Sequence, residues 1–482
     1  MSVDSPPPAA GPQVGADEWV ARERDRREYL PGWLGAAQRA GERIGWWPRL
    51  AAAGLAALLL PVLGIGPFQQ QVGIDALVIA LLAVGLNIAV GWAGILDLGY
   101  VAFFGFGAYG FALLSSGQIG SRGIHLWALV SIPIVMIAAA MLGLLVGLPS
   151  RRLIGDYLAI VTLFFGEAFV EFTNNVAPGT FGGPNGIPGL DPFRSFGIQL
   201  TANSSYYYLL VVAVVSTMAV LRLLETSRTG RAWRAVREDS LAAAAMTVPV
   251  NRVKLMAFAF GAMVAALAGT IFAAQQISVF PADFDTPILI LVYAGLILGG
   301  AGSIAGACTG ALVVMVIYDG LLRSGTYSGY LFYVVVLLTL LVKLRPWRRL
   351  AAVLAATAVL GFAAHAIAGA ISARAVAGAP SSTGWIGNAL RDWVIIPANA
   401  QALGDWGYVL LICLLIALVQ AKGRWRTVLL VPTLYLAALV WETKLSANPA
   451  ITRQLMIGAI LIVMMNARPQ GLLGARRVEA PT

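Results

Sequence analysis

Charge is scarce in this chain. Asp, Glu, Lys and Arg make up 12% of its 482 residues, about half the roughly 25% that a soluble domain carries. Together with 59% apolar residues, that shortage excludes a soluble enzyme. Cysteine is almost missing: Cys308 and Cys413 lie far apart inside apolar runs, which excludes a disulfide framework or a zinc site and reads as two small buried hydrophobes. The two histidines, His125 and His365, are isolated, so neither a metal cluster nor a nucleophile–histidine pair is expected. A glycine loop of the Walker type is absent as well. The chain is therefore expected to carry no catalytic residue, no metal and no cofactor. Its first thirty residues lack the apolar core of a signal peptide. Residues 1–49, with Pro6, Pro7, Pro8 and the charged run 21–28, read as a cytoplasmic tail, partly disordered at its start. The net charge of +10 sits in short clusters between apolar runs, a topology-setting pattern and not a nucleic-acid face.

What the chain has in abundance is long apolar runs. A helix needs about 20 apolar residues to cross a bilayer. Runs near 50–66, 72–91, 97–116, 125–148, 157–174, 205–224, 255–276, 286–299, 303–320, 329–343, 350–372, 406–420, 427–441 and 454–467 give roughly fourteen spans. The pair at 286–299 and 303–320, joined by Gly299-Gly300-Ala301-Gly302, reads either as a tight hairpin or as one broken helix. Alternating the spans from an inside N-terminus puts 26 of the 33 Lys and Arg on inside segments and 7 outside. That bias supports an even span count with both termini cytoplasmic. The fold class is thus all-α, a polytopic transmembrane helical bundle. Glycine, 53 residues, concentrates within the spans, where small residues let backbones approach closely or let irregular backbone line a cavity.

Three stretches carry a resemblance. The first is Gly85-Leu-Asn-Ile-Ala-Val-Gly-Trp-Ala-Gly-Ile-Leu-Asp-Leu-Gly-Tyr-Val-Ala-Phe-Phe-Gly-Phe-Gly-Ala-Tyr109. The second is Leu158-Ala-Ile-Val-Thr-Leu-Phe-Phe-Gly-Glu167 with Gly182-Gly-Pro-Asn-Gly-Ile-Pro-Gly189. The third runs from Ser227-Arg-Thr-Gly-Arg-Ala-Trp-Arg-Ala-Val-Arg-Glu-Asp239 through Leu291-Val-Tyr-Ala-Gly-Leu-Ile-Leu-Gly-Gly-Ala-Gly-Ser-Ile-Ala-Gly306, and Ala467-Arg-Pro-Gln-Gly-Leu-Leu-Gly474 closes the chain. Over residues 72–320 and 452–475 the sequence resembles permease subunits of branched-chain amino acid ATP-binding cassette importers, the LivM-like subunit in particular. The resemblance implies about ten family-core spans plus about four extra ones. It also implies a cell (inner) membrane location, a second similar permease subunit, two cytoplasmic ATPase subunits that hold ATP and Mg, and an extracytoplasmic substrate-binding protein. The expected organisation is a tail (1–49), a permease core (50–323) containing a cytoplasmic loop (225–254), inserted spans (324–451), and a last helix with the C-terminus (452–482). Leu340-Leu-Val-Lys-Leu-Arg-Pro-Trp347 also looks like a family last helix, but the segment ending in Arg468-Pro-Gln-Gly-Leu-Leu-Gly474 fits better.

Two groups of residues invite a functional reading. In the loop, Glu238 followed by Ala242, Ala243, Ala244 and Ala245 predicts a short helix of small side chains behind the basic preface Arg228, Arg231, Arg234 and Arg237. The resemblance makes this the coupling helix that meets an ATPase; the alternative is an amphipathic helix on lipid headgroups. The family's glycine after Ala-Met is replaced by Thr247. Within the spans, carboxylates are costly and so are functional candidates. Glu167 and Glu171 lie four apart on one helical face, continued by Asn174. They either line a translocation path, where they could meet a substrate ammonium, or form an interhelical hydrogen bond or a buried pair that holds two permease subunits together. Asn87 sits inside the second span, as a path residue or an interhelical hydrogen-bonding one. Asp97 is a second candidate, although in a short turn between spans at the cytoplasmic side a solvated charge is the expected reading. The Gly- and Pro-rich stretch 175–204 predicts an ordered, turn-rich loop. Competing functions are an ion-coupled secondary transporter, which binds at broken helices, a permease for urea or short amides, and, weakest, a lipid-modifying enzyme.

Overall fold

The computed structural model describes residues 45–473, apart from 64–65, 117–123, 152–155, 177, 196–197, 324, 345–346, 373–375, 379, 381–383, 398–399, 422–423, 446–448 and 468–470. The expected tail thus lies almost wholly outside the described residues, as does the end of the chain. The chain falls into two units, residues 1–64 with 475–482 and residues 65–474. Of the first, helix α1 (Trp46–Leu59) and a 3-10 turn (Leu60–Leu63) are described.

The second unit is built from α2 (Pro67–Leu86), α3 (Tyr100–Leu114), α4 (Ala128–Gly147), α5 (Asp156–Asn175), α6 (Asn203–Thr226), α7 (Arg228–Glu238), α8 (Ser240–Ala245), α9 (Val250–Gln276), α10 (Thr286–Gly299) and α11 (Ile304–Met315). They are followed by α12 (Gly325–Lys343), α13 (Trp347–Ile371), α14 (Gly384–Arg391), α15 (Ala400–Gln420), α16 (Arg424–Val440) and α17 (Pro449–Ala467). Single π-helical stretches end α2 (Asn87–Trp92), α11 (Val316–Leu321) and α16 (Trp441–Leu445). Every one of the fourteen apolar runs contains a helix. Among the described residues, nine helices are long and apolar enough to cross a membrane, and several shorter apolar ones accompany them.

Helix α2 shows why this sequence buries itself. From Leu77 to Leu86 it has no polar face, and a helix apolar all round belongs in an interior; Ala80 through Val84 are fully buried. Helix α9 crosses α3 in close contact. A Cβ on Gly107 would come within 2.4 Å of the Ala266 carbonyl oxygen, and one on Gly269 within 2.1 Å of the Phe104 carbonyl oxygen, so neither position has room for a side chain. Helices α10 and α11 resolve the alternative left open by their glycine-rich junction: they form an antiparallel hairpin, with Gly295 against Ala311 and Gly299 against Gly306. Of the two cysteines, Cys308 is buried as expected; Cys413 is exposed on the outside of its helix, whose apolar residues cover all sides while only one side packs.

Between α5 and α6 the chain forms the expected turn-rich loop, with one helical turn at Pro178–Phe181 and a 3-10 turn at Gly183–Asn185. Ile187–Pro188 pairs antiparallel with Ser278–Val279 beyond α9. Beneath it lies an aromatic cluster that the sequence did not flag: Tyr109 is 6.2 Å from Phe181 and 5.9 Å from Phe284, and Phe172 is 5.2 Å from Phe181.

Candidate functional site

The loop between α6 and α9 forms two short helices set against the end of the bundle. Ser227 caps α7, accepting from the Gly230 amide. Asp239 caps α8, its carboxylate accepting from the Leu241 and Ala242 amides at 2.8 and 3.0 Å. Helix α8 ends in a Schellman turn: the Thr247 amide donates to the Ala244 carbonyl and the Val248 amide to the Ala243 carbonyl. Such a turn needs a left-handed residue, normally glycine, and Thr247 adopts it with φ 64°. The turn is therefore made with threonine in the place of glycine, at a steric cost of roughly 1–2 kcal/mol for a residue with a Cβ.

Of the residues singled out here, Glu238, Ala242, Ala244 and Ala245 are exposed, whereas Ala243 is buried. Leu241 and Met246 stand out furthest, 81% and 77% exposed. An open groove lined by Ala244, Pro249, Val250, Asn251, Arg252 and Leu255 runs beside them. The helix thus offers small and apolar side chains outward from a rigid seat.

That seat is made by Trp233, which the sequence did not single out, and by Arg237, which it marked only as part of the basic preface. Trp233 of α7 is fully buried; its indole N–H donates to the Val253 carbonyl at 2.8 Å and its ring stacks on Trp92, 5.9 Å between centroids. Arg237 donates to the Gly91 carbonyl. Both contacts fall on the π-helical end of α2, where the wider turn frees a carbonyl from the helix ladder. The same stretch holds the α10–α11 hairpin. Trp92 Nε1 donates to the Gly302 carbonyl at 3.2 Å, and the Gly302 amide donates to Asn87 Oδ1 at 2.7 Å. A side chain at Gly302 would meet Arg237, and its φ of 100° is one L residues rarely adopt. Asn87 is fully buried in this knot. Its geometry is that of a hairpin anchor. Past the hairpin, the Leu472 and Leu473 amides donate to the Leu298 and Gly299 carbonyls, so the chain's last described residues cap α10.

Asp97 stands near this end and corrects an expectation. It is 1% exposed, not solvated, because Leu98 and Tyr293 lock its turn: the Leu98 amide donates to Thr162 Oγ1 and the Tyr293 hydroxyl to the Asp97 carbonyl. Burial pushes its carboxyl up to about 7, and one hydrogen bond from the Gly99 amide opposes that rise.

Glu167, Glu171 and Asn174 lie far along the sequence from Asn87, and the structure places them on another part of the bundle. Glu167 and Glu171 share an exposed face of α5 with Ile160 and Phe164, while Asn174 is half-buried beside it. Glu167 accepts from Thr286 Oγ1 at 2.5 Å, and Glu171 from Asn175 Nδ2 at 2.6 Å. At the end of the bundle opposite α8, a polar group not anticipated from the sequence gathers. Gln71 Nε2 donates to Asp75 at 3.0 Å, Asn203 and Gln275 both donate to Gln71 Oε1, and Arg453 donates to Asp319 at 3.1 Å. Each acid hides inside an otherwise apolar run; charge count alone would have found them.

This arrangement, stacked apolar helices with intramembrane carboxylates and an ordered polar loop at one end, is that of a polytopic α-helical membrane protein. Comparison with known proteins narrows the class. The family model described as the permease component of branched-chain amino acid transport systems matches residues 71–344. The high-affinity branched-chain amino acid transport system permease protein LivM of Escherichia coli is 37% identical over 272 residues, 52% of this chain and 62% of that protein. The corresponding LivH of Escherichia coli is 27% identical over 199 residues, 40% of this chain and 63% of LivH. The ribose import permease protein RbsC of Bacillus subtilis is 27% identical over 181 residues, 36% of this chain and 52% of RbsC. No solved structure matches. The chain belongs to the branched-chain amino acid transport permease family, and it spans 62% of the length of its LivM relative.

Proposed function

We propose that this chain is a permease subunit of an ATP-binding cassette importer for branched-chain or related small amino acids, seated in the cell's inner membrane. In this reading it forms half of the translocation path, beside a second similar permease subunit. Two cytoplasmic ATPase subunits, holding ATP and Mg, drive it, and an extracytoplasmic binding protein delivers the substrate. The observation that carries the reading is the exposed α8 on its rigid seat. A stand-alone carrier has no need of a small-residue helix held out from the bundle, whereas a subunit driven by another chain needs a surface to be pushed. Movement of α8 passes through Trp233 and Arg237 to α2 and the α10–α11 hairpin. Kinship to amino acid permeases supports the substrate class; urea or short amides remain the neighbouring choice within the same machinery.

The face of α5 supplies the path. A carboxylate turned toward hydrocarbon costs several kcal/mol, so Glu167 and Glu171 call for a partner subunit or a water-filled lumen on that side. There they meet a substrate ammonium or the paired subunit.

The intramembrane acids Asp75 and Asp319 favour one competing reading, an ion-coupled secondary transporter. Purification from native membranes followed by mass spectrometry separates the two. Co-purification of two ATPases and a second permease is expected; repeated recovery of the chain alone, in several detergents, sinks the importer. Exposed positions test the coupling surface itself: Glu238→Lys with Ala242→Asp is expected to leave a folded protein that no longer imports. Ala243 is unsuitable for this purpose because it is buried.

A further inference from the structure

The stretch that follows the core hairpin occurs twice. Val316–Leu321 is π-helical, contains Tyr318-Asp319, and precedes helix α12, after which comes Leu344-Arg345-Pro346. Trp441–Leu445 is π-helical, contains Trp441-Glu442, and precedes helix α17, after which comes Ala467-Arg468-Pro469. In both copies an aromatic residue stands immediately before the acid, and the Arg-Pro follows the acid at the same distance along the chain.

The contacts between the copies are crossed. Asp319 is bonded not by α12, which directly follows it, but by Arg453 of α17, at 3.1 Å, and Arg453 also lies 5.1 Å from the ring of Tyr318. Glu442, 5% exposed, accepts from Tyr333 of α12 at 3.2 Å, and Trp441 stacks on Phe332 of α12 with rings 4.3 Å apart and nearly parallel. Each aromatic–acid pair is clasped by the helix of the other copy. Helix α17 is fastened at its other end too, where Leu472 and Leu473 pair with the end of α10. The remaining inserted helices form their own apolar centre, with Leu390, Val394 and Ile396 against Tyr435, Ala438 and Leu439.

We infer that residues 322–444 are a module inserted between a π-turn and its helix, and that the two copies have exchanged helices, so that α17 through Arg453 closes the permease core. The family match is consistent with this: it runs to residue 344 and takes in α12, which a chain holding two interchangeable copies allows. Arg453 is then a positioning residue that neutralises Asp319 and holds the last helix in place.

Cysteine pairs test the exchange in the full chain, with Cys308 and Cys413 first replaced by alanine and a protease site placed between α13 and α14. Asp319→Cys with Arg453→Cys is expected to cross-link with a bifunctional thiol reagent long enough to replace the arginine side chain, leaving the two cleaved fragments joined at the mass of one chain. Tyr333→Cys with Glu442→Cys is expected to join them in the same way. Fragments left separate by both pairs, or a cross-link seen only as a dimer of chains, overturn the exchange. Charge reversal checks the role of the pair: Asp319→Arg and Arg453→Asp each lose most of the monodisperse protein, and the double variant restores it; absence of rescue removes the positioning role. Excising 322–444, so that Leu321 joins Leu445, tests the module. Recovery of folded chain is expected; failure of the excised chain to fold overturns the module. Uptake by that chain rests on the permease reading, whereas cross-linking and folding do not, so the two can fail separately.

Discussion

The permease core and the inserted module are both apolar helices, yet they are assembled differently. In the core, α2 is covered on nearly every side, and α3, α9, α10 and α11 meet backbone to backbone at glycines. In the module, α13 buries one narrow stripe, Leu350, Val353, Thr357 and Gly361, and leaves Val359, Phe362, Ile367 and Ile371 exposed. Lipid tails are as apolar as leucine, so an apolar helix gains little from another apolar helix; close approach is what binds helices in a membrane. The core is specified by its small residues. The module is held by a few large contacts, such as Trp393 Nε1 to the Ala358 carbonyl and Trp393 edge-on to Tyr435.

The largest effect expected from that contrast is at Gly269. Gly269→Val forces a side chain into the Phe104 backbone, which cannot yield as a flexible side chain would. Overpacking of this kind costs about 3 kcal/mol or more, and loss of monodisperse protein in size-exclusion chromatography is expected. Gly369→Val in α13, where a Cβ meets only the Val376 side chain, at 3.8 Å, is expected to elute normally; equal damage at both sites would erase the distinction.

An intermediate effect is expected at Arg237. Arg237→Ala removes the tie between α7 and the end of α2, and Arg237→Lys keeps a charge without the planar fork. The alanine variant is expected to retain its thermal midpoint within a few degrees while import falls by roughly tenfold, a loss of about 1.4 kcal/mol in coupling. Equal loss of stability and transport would make the contact a mere brace.

Asp97 gives a pH-dependent effect. Its folded carboxyl titrates at about 7 against an ordinary 3.8. The fold therefore holds a proton that the unfolded chain releases, and stability present below about pH 4 is lost as pH rises toward 7. Each unit in that window is worth up to about 1.4 kcal/mol. Asp97→Asn is expected to flatten the thermal midpoint between pH 5 and 8 and to exceed the parent at pH 8.

The smallest effect is at Thr247. Thr247→Gly relieves the left-handed strain and is expected to raise stability by about 1 kcal/mol. Any loss would mean that the threonine side chain contributes something beyond the turn.

Much of the fold was legible because its signals are local. Apolar runs mark helices wherever they pack, and the alanines after Asp239 gave α8. The site was only half legible. Trp233 and Arg237 look like ordinary members of a basic amphipathic stretch, and their importance comes from a π-helical widening of α2 that lies over a hundred residues earlier. Asp97 misled for the same reason: a short turn between spans is normally wet, and this one is sealed by Thr162 and Tyr293 from distant helices. Asp75 and Asp319 could have been found as lone acids in apolar runs, but no spacing betrays the partners that hold them.

The ion pair between Asp319 and Arg453 joins residues 134 positions apart. A ribosome adding about 5–20 residues per second needs on the order of ten seconds to bridge that gap. For that interval the newborn chain carries Asp319 in a half-built bundle without the guanidinium that bonds it in the finished protein. A chain whose synthesis stops before Arg453 never forms that bond, so the finished protein and the abortive product differ in how one carboxylate inside an apolar run is held.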